Sequence, residues 1–261
     1  MKIGFFDSGL GGLTILKAVV RAMPQYNYVY YGDTANLPYG DKTEAEIYEL
    51  TKEGMRYLFE AGAVLVVIAC NTASAETARR LQNEFLPAEY PDRKILGIIV
   101  PTIEELEFDT PTKVTLIATK RTVESGKYQL ELDHKGNGNI QLTQIATPEL
   151  VPLIEMHDLD AAAARAILRL EEEAGESEVV VLGCTHYTQI KESLRAHFAD
   201  KRTISQDEVV PTKLQDYLMR HHEISSQLTH GGERSVHLTA HRPDYDRIMG
   251  HFLGGVYVEE E

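Results

Sequence analysis

The chain is expected to fold as an α/β protein built from two similar α/β domains with mainly parallel sheets. Three observations predict this. Apolar runs of strand length alternate with polar-apolar segments of helix length along the chain, the pattern of strands joined by helical crossovers. The run Val64-Leu65-Val66-Val67-Ile68-Ala69 is mostly β-branched and shows no polar alternation, so it reads as a strand buried on both faces. A second segment then repeats the first. Val64 to Ala69 leads into Cys70-Asn71-Thr72, and Val179-Val180-Val181-Leu182-Gly183 leads into Cys184-Thr185-His186. Buried strands resemble one another by chance, but the matched cysteine favours two related halves over one long sheet.

The elements follow in order. Residues 2–6 read as a strand, Asp7-Ser8-Gly9-Leu10-Gly11-Gly12 as a glycine-rich turn, and residues 13–23 as a helix stopped by Pro24. Strand, glycine loop and helix suggest a dinucleotide fold, but Thr14 stands where the third glycine of G-x-G-x-x-G belongs. Asp7 in the turn would repel a pyrophosphate, so these amides suit a small zwitterion better. Residues 26–31 read as a strand, 32–40 as a turn-rich loop, and 44–61 as an amphipathic helix. After the Cys70 strand, Asn71 and Thr72 can cap a helix over 73–85. Strands are expected at 94–100 (closed by Pro101), 113–118, 140–146 and 202–205, with late strands at 237–239 and 256–258. Helices are expected near 103–108, from 121, over 160–174, over 189–198 after Cys184, and over 209–220; residues 148–155 read as a loop or short helix.

Composition removes several function classes. The 261 residues carry a net charge of −14, which argues against nucleic acid or an anionic membrane surface as partner. No apolar run approaches the ~18 residues of a membrane span, and Asp7 with the early glycines interrupts any signal-peptide core. A cytoplasmic chain with its two cysteines reduced is the expectation.

Those two cysteines are the chemistry to explain, since each falls where a strand ends and a helix begins. Buried core thiols are the plain account. Zinc would need further ligands, and no C-x-x-C pair or paired histidine spacing supplies them; no metal is expected. A Cys-His hydrolase could use Cys184 with His186 but leaves Cys70 without a task. The fourth account employs both. Inverting a carbon centre without a redox cofactor needs one base to remove the α-proton and a second acid to return a proton on the other face. A thiol with an intrinsic pKa of ~8.5 can serve in either state.

Several stretches carry a resemblance: Phe6-Asp7-Ser8-Gly9-Leu10-Gly11-Gly12-Leu13-Thr14, Gly32-Asp33-Thr34 with Pro38-Tyr39-Gly40, and Ala69-Cys70-Asn71-Thr72. Val151-Pro152-Leu153-Ile154-Glu155 and Leu182-Gly183-Cys184-Thr185-His186-Tyr187 complete the set. In this order they resemble the cofactor-independent aspartate/glutamate racemase superfamily, and glutamate racemases in particular. The resemblance implies a domain of residues 1–97 plus 208–261, a second of 98–207, and an active site at the domain interface. It implies Cys70 and Cys184 as the two acid/base residues, Cys70 for the D-enantiomer and Cys184 for the L-enantiomer. Asp7 would assist Cys70, and Glu155 and His186 would assist Cys184. Asp7, Ser8, Tyr39, Gly40, Asn71, Thr72, Thr185 and His186 would bind the amino acid. The activity implied is interconversion of L- and D-glutamate without a cofactor, supplying peptidoglycan in a bacterium. A related aspartate racemase and a Cys-His hydrolase or amidase are the alternatives. The family also carries an expectation of homodimers, although no interface is legible in the sequence.

Each site residue has a plainer account beside this one. His186 could cap its helix, Asp7 and Asp33 could be turn aspartates, and Asp33 stays outside the catalytic set. The chain departs from the family pattern at Asn36-Leu37, at Thr188 and at Ser205-Gln206-Asp207, which bears on substrate contacts rather than on the proposed acid/base groups.

Overall fold

Among the described residues, ten strands form two separate sheets whose ladders are all parallel, with helices on both sides. The computed structural model describes residues 1–106, 108–136 and 138–242, together with Tyr245 and the backbone of Val258 and Glu259. In chain order the elements are β1 (Lys2–Asp7), α1 (Leu13–Ala22), β2 (Tyr28–Gly32), α2 (Glu44–Glu60), β3 (Ala63–Ile68), α3 (Asn71–Arg80) and α4 (Leu86–Glu89). Then come β4 (Lys94–Gly97), α5 (Ile99–Glu104), β5 (Thr112–Ala118), α6 (Lys120–Glu124), α7 (Lys127–Lys135), β6 (Ile140–Ala146) and α8 (Leu150–Glu155). The rest are α9 (Leu159–Glu173), β7 (Val179–Gly183), α10 (Lys191–His197), β8 (Arg202–Ile204), α11 (Gln206–Arg220), α12 (His222–Ser225), β9 (Arg234–Leu238) and β10 (Val258–Glu259).

The first sheet has the order β10-β9-β2-β1-β3-β4 and the second β6-β5-β7-β8. Removing β9 and β10 leaves two four-stranded units of the same order, with β1, β2, β3 and β4 matched by β5, β6, β7 and β8. The cysteine echo is therefore topological: Cys70 follows β3, and Cys184 follows the equivalent β7. Functional groups of open parallel sheets gather at the strands' carboxyl ends, and both units place their thiol there.

Burial explains the strand sequences. All six residues of β3 and all five of β7 are buried, which is why neither alternates polar with apolar. One apolar core runs from Ile3, Phe5 and Val67 of the first sheet through Ile98, Ile103, Val210 and Leu214 to Val114, Leu116 and Val181 of the second. The two sheets are thus joined by packed hydrocarbon rather than by a bare linker.

Four elements differ from the sequence reading. Residues 94–100 form a strand only as far as Gly97, and α5 begins at Ile99 with Pro101 inside its first turn, where a missing N–H costs nothing. The helix expected over 73–85 starts at Asn71 and gives way to a π-helical segment, Leu81–Phe85. Its cap is neither Asn71 nor Thr72 but Cys70, whose Sγ accepts from the Ala73 amide at 3.4 Å. After Cys184 the chain makes a 3-10 turn, Thr185–Ile190, before α10, so Cys184 has no such cap bond. Of the late strand expected at 256–258, Val256 and Tyr257 lie outside the described residues. Val258 begins β10, parallel to β9.

Candidate active site

The strand ends meet in a cavity of about 420 Å³ whose wall includes Cys70 and Cys184 together. Around them stand Ser8, Tyr39, Gly40, Asn71, Thr72, Glu155, Thr185 and His186. Of the sequence-derived site residues, Asp7 alone is absent from the wall. It ends β1, is fully buried, and accepts from the Gly9 amide at 2.9 Å and from Thr185 Oγ1 at 3.3 Å. Among the described residues no group of three or more His, Cys, Asp or Glu side chains is gathered as a metal site requires.

The glycine loop is shaped by contact. A Cβ on Gly11 would strike Thr185 Oγ1 and lie 2.9 Å from His186 Nδ1, and one on Gly12 would lie 2.8 Å from the Asp7 Cβ. Glycine here lets the backbone of the first unit press against the second thiol's loop. Tyr30 holds the turn from below, its hydroxyl donating to the Gly9 carbonyl at 2.8 Å.

The two thiols sit in different company. Cys70 Sγ is 3.3 Å from Ser8 Oγ. Burial and the nearby Asp7 carboxylate push the Cys70 thiol up to about 12, although the Ser8 and Ala73 hydrogen bonds pull the other way. Asp7 is itself raised by burial, against the charge of His186 and the amides of Gly9 and Gly12. Cys184 Sγ lies 3.8 Å from His186 Nδ1, and His186 Nε2 lies 3.3 Å from Glu155 Oε1. Burial lowers the imidazole's pKa, but its hydrogen bonds to Cys184 and Glu155 and their charges outweigh this and hold it well above its ordinary value. Glu155 is half-buried, which works to raise it, yet His186 and the charge of Arg242 bring it below the usual carboxylate range. Both shifts favour the charged forms, an imidazolium facing a carboxylate. The imidazolium can supply the counter-charge for a thiolate at Cys184 whenever one forms.

Several side chains expected to meet substrate are already engaged. The Tyr39 hydroxyl donates to Asp33 Oδ2 at 2.6 Å, and Asn36 and Thr239 donate to Asp33 Oδ1 at 2.9 and 2.8 Å. Asp33, set aside in the sequence as a turn residue, is thus buried and orients Tyr39. Asn71 turns its amide away into a buried network. Its Nδ2 donates to Gln206 Oε1 at 2.7 Å, and its Oδ1 accepts from Gln206 Nε2 at 2.7 Å and from the Tyr128 hydroxyl at 2.8 Å. What Asn71 and Thr72 offer the cavity are the first amides of α3, which lie ahead of the helix's first internal bond, Ser74 N to the Cys70 carbonyl. Thr72 Oγ1 lies 3.0 Å from Thr119 Oγ1 and 3.3 Å from Thr122 Oγ1, which joins hydroxyls of both units.

Sequence reasoning missed Thr119, Lys120, Arg242 and Tyr245, all in the cavity wall. Thr119 follows β5 much as Asp7 ends the equivalent β1, so the internal repeat was a signal for it. No local motif marks Arg242 or Tyr245.

The Asp/Glu/Hydantoin racemase family profile matches residues 12–210, and the chain belongs to that family. The chain is similar to proteins named glutamate racemase. It is 39% identical over 238 residues to the glutamate racemase of Dinoroseobacter shibae, with 85% of each chain covered. The fold superposes on the crystal structure of glutamate racemase isoform RacE1 from Bacillus anthracis with a TM-score of 0.87 at 25% identity, covering 99% of this chain and 96% of that one. The glutamate racemase of Francisella tularensis, solved in complex with D-glutamate, gives a TM-score of 0.84 at 27% identity over 100% and 96% of the two chains. No helix among the described residues is long and apolar enough to cross a membrane.

Proposed function

We propose that this racemase-family protein interconverts L- and D-glutamate without a cofactor, by α-proton transfer between Cys70 and Cys184. The observation that carries the reading is the presence of two thiols, each following an equivalent strand, in the wall of one cavity. For L-glutamate, Cys184 as thiolate takes the α-proton and becomes a thiol. The Cys70 thiol gives its proton to the opposite face of the planar carbanion and becomes the thiolate. Returning both groups to their starting states means a proton gained at Cys70 and one lost at Cys184, and Asp7 and His186 are placed to move these. Before α-proton loss, the substrate's amino and carboxylate groups are held by the α3 amides, Ser8, Thr72, Thr185 and the Tyr39–Gly40 segment. Such prearranged donors stabilise the carbanion as it develops.

The same reading takes residues 1–97 with 208–261 as one domain and 98–207 as the other, supported by the separate sheets. It places the protein in the cytoplasm, with D-glutamate passing to peptidoglycan. Two free cysteines suit a reducing compartment. A homodimer is the assembly the family suggests, and light scattering on the purified protein measures it.

A second reading has one specific observation behind it, the Cys184–His186–Glu155 relay, which a Cys-His hydrolase would also use. Incubating the protein in D₂O with L-glutamate and separately with L-aspartate tests both. Loss of optical rotation with α-deuteration of glutamate is expected, and Cys70→Ser should abolish the loss. Inversion of aspartate alone would change the substrate. Absence of exchange with either, or hydrolytic activity that survives Cys70→Ser, would overturn the racemase reading.

A further inference from the structure

A glutamate-like substrate brings two carboxylates into a cavity whose wall already contains Asp41 and Glu155, with Asp7 buried behind it. Like charges gathered in one cavity penalise binding unless cations compensate. Lys120 and Arg242 are the lysine and arginine of that wall. Lys120 directs its Nζ to within 3.7 Å of Glu124 on its own helix and is 61% exposed. Arg242 is held differently.

The residues after β9 run back across the loop that carries Tyr39 and Gly40. Thr239 Oγ1 donates to Asp33 Oδ1 at 2.8 Å and accepts from the Ala35 amide at 2.9 Å. Thr34 Oγ1 donates to the Ala240 carbonyl at 2.5 Å and accepts from the Ala240 amide at 2.9 Å. Four hydrogen bonds therefore anchor the Thr239 side chain and the Ala240 backbone, three and two residues before Arg242. The guanidinium carbon sits 5.0 Å from the centroid of the buried Tyr245 ring. A stacked guanidinium uses its face against the ring and presents its N–H groups in plane, the edge that matches a carboxylate. Its charge is felt at Glu155. Arg242, Glu155, His186 and Leu37 also share the wall of a small adjoining recess.

We propose that Arg242 binds the side-chain carboxylate of the substrate, so that the site selects dicarboxylic over neutral amino acids. This rests on the glutamate reading and names the group that would make it specific. The anchored strap gives the guanidinium a fixed post. The thiols and the α3 amides are left to the α-carbon and its carboxylate.

The test is steady-state kinetics of L-glutamate inversion by the full chain carrying Arg242→Gln or Arg242→Lys, with a pH profile for each. Loss of a charge-assisted contact at an exposed post should raise KM by about tenfold or more. In Arg242→Gln the fall in kcat should be far smaller than the rise in KM, and Arg242→Lys should recover part of the KM. A KM unchanged in Arg242→Gln would overturn the inference. So would a fall in kcat at unchanged KM with a displaced pH profile, which would make Arg242 a tuner of Glu155 instead. Failure of the underlying glutamate reading would show separately, as absent α-deuteration in the wild-type protein.

Discussion

Replacing Gln206 by leucine isolates the network that ties the Cys70 helix to the rest of the molecule. Gln206 is 1% exposed and exchanges two 2.7 Å bonds with Asn71. Its Nε2 also lies 3.1 Å from the Tyr128 hydroxyl and 3.3 Å from Thr102 Oγ1. Leucine preserves most of the volume and removes every one of these partners. Asn71 Oδ1 keeps the Tyr128 hydroxyl at 2.8 Å, whereas Asn71 Nδ2 loses its acceptor in a site closed to water. One orphaned donor and one lost hydrogen bond cost about 2–4 kcal/mol. At roughly 2–4 °C per kcal/mol for a chain near this size, the midpoint of thermal unfolding should fall by about 4–16 °C. Circular dichroism melts of the wild type, Gln206→Leu, Asn71→Ala and the double variant form a cycle. Because the two amides serve each other, the cycle should return a coupling of about 1–2 kcal/mol. A Gln206→Leu melt within about 0.5 kcal/mol of wild type, or strictly additive single variants, would refute the claim that this pair is energetically linked.

Three further outcomes are expected. In Cys184→Ser the remaining thiol is Cys70, and its alkylation by iodoacetamide should keep accelerating past pH 9 toward about 12; a plateau below pH 9 would contradict the burial argument. The sign is that of a raised pKa: the stability tied to the Cys70 thiol is intact below the unfolded value and lost as pH rises toward the folded one. Gly11→Ala pushes a methyl into Thr185 and His186, costing about 1–3 kcal/mol, and activity measured beside the melt should fall more than stability does. Glu155→Gln removes a partner that keeps His186 protonated, so the alkaline limb of the L-glutamate rate profile should move to lower pH.

What was legible in the sequence followed from local chemistry. Uninterrupted β-branched runs announced buried strands, and the repeated cysteine announced a repeated unit, because both are written within a few residues. Asn71 and Thr72 read as the caps of α3 because asparagine and threonine are commoner caps than cysteine, yet the strand ends at Ile68 and Cys70 takes the position. Pro101 reads as a strand's end but lies in the first turn of a helix. The larger gap concerns roles set by distant partners. Asp33 looks like any loop aspartate until Thr239 arrives from the far end of the chain. Asn71 looks like a substrate ligand until Gln206 takes its amide. Gln206 stood out in the sequence only as a departure from the family pattern, and nothing nearby in the chain says what it touches.

The placement of β9 has a consequence for how the protein is made. Its residues hydrogen-bond to β2, which left the ribosome some two hundred residues earlier, in register from Tyr28–Arg234 to Gly32–Leu238. The second sheet, β5 to β8, uses only contiguous chain and has all its strands once Ile204 has emerged. The first sheet begins earlier and finishes later, waiting with β2 as an open edge. Asp33 acquires Thr239 at the very end, so the loop bearing Tyr39 is among the last parts of the cavity to be set. A chain that stalls during translation before residue 234 would own both cysteines and still lack a finished pocket.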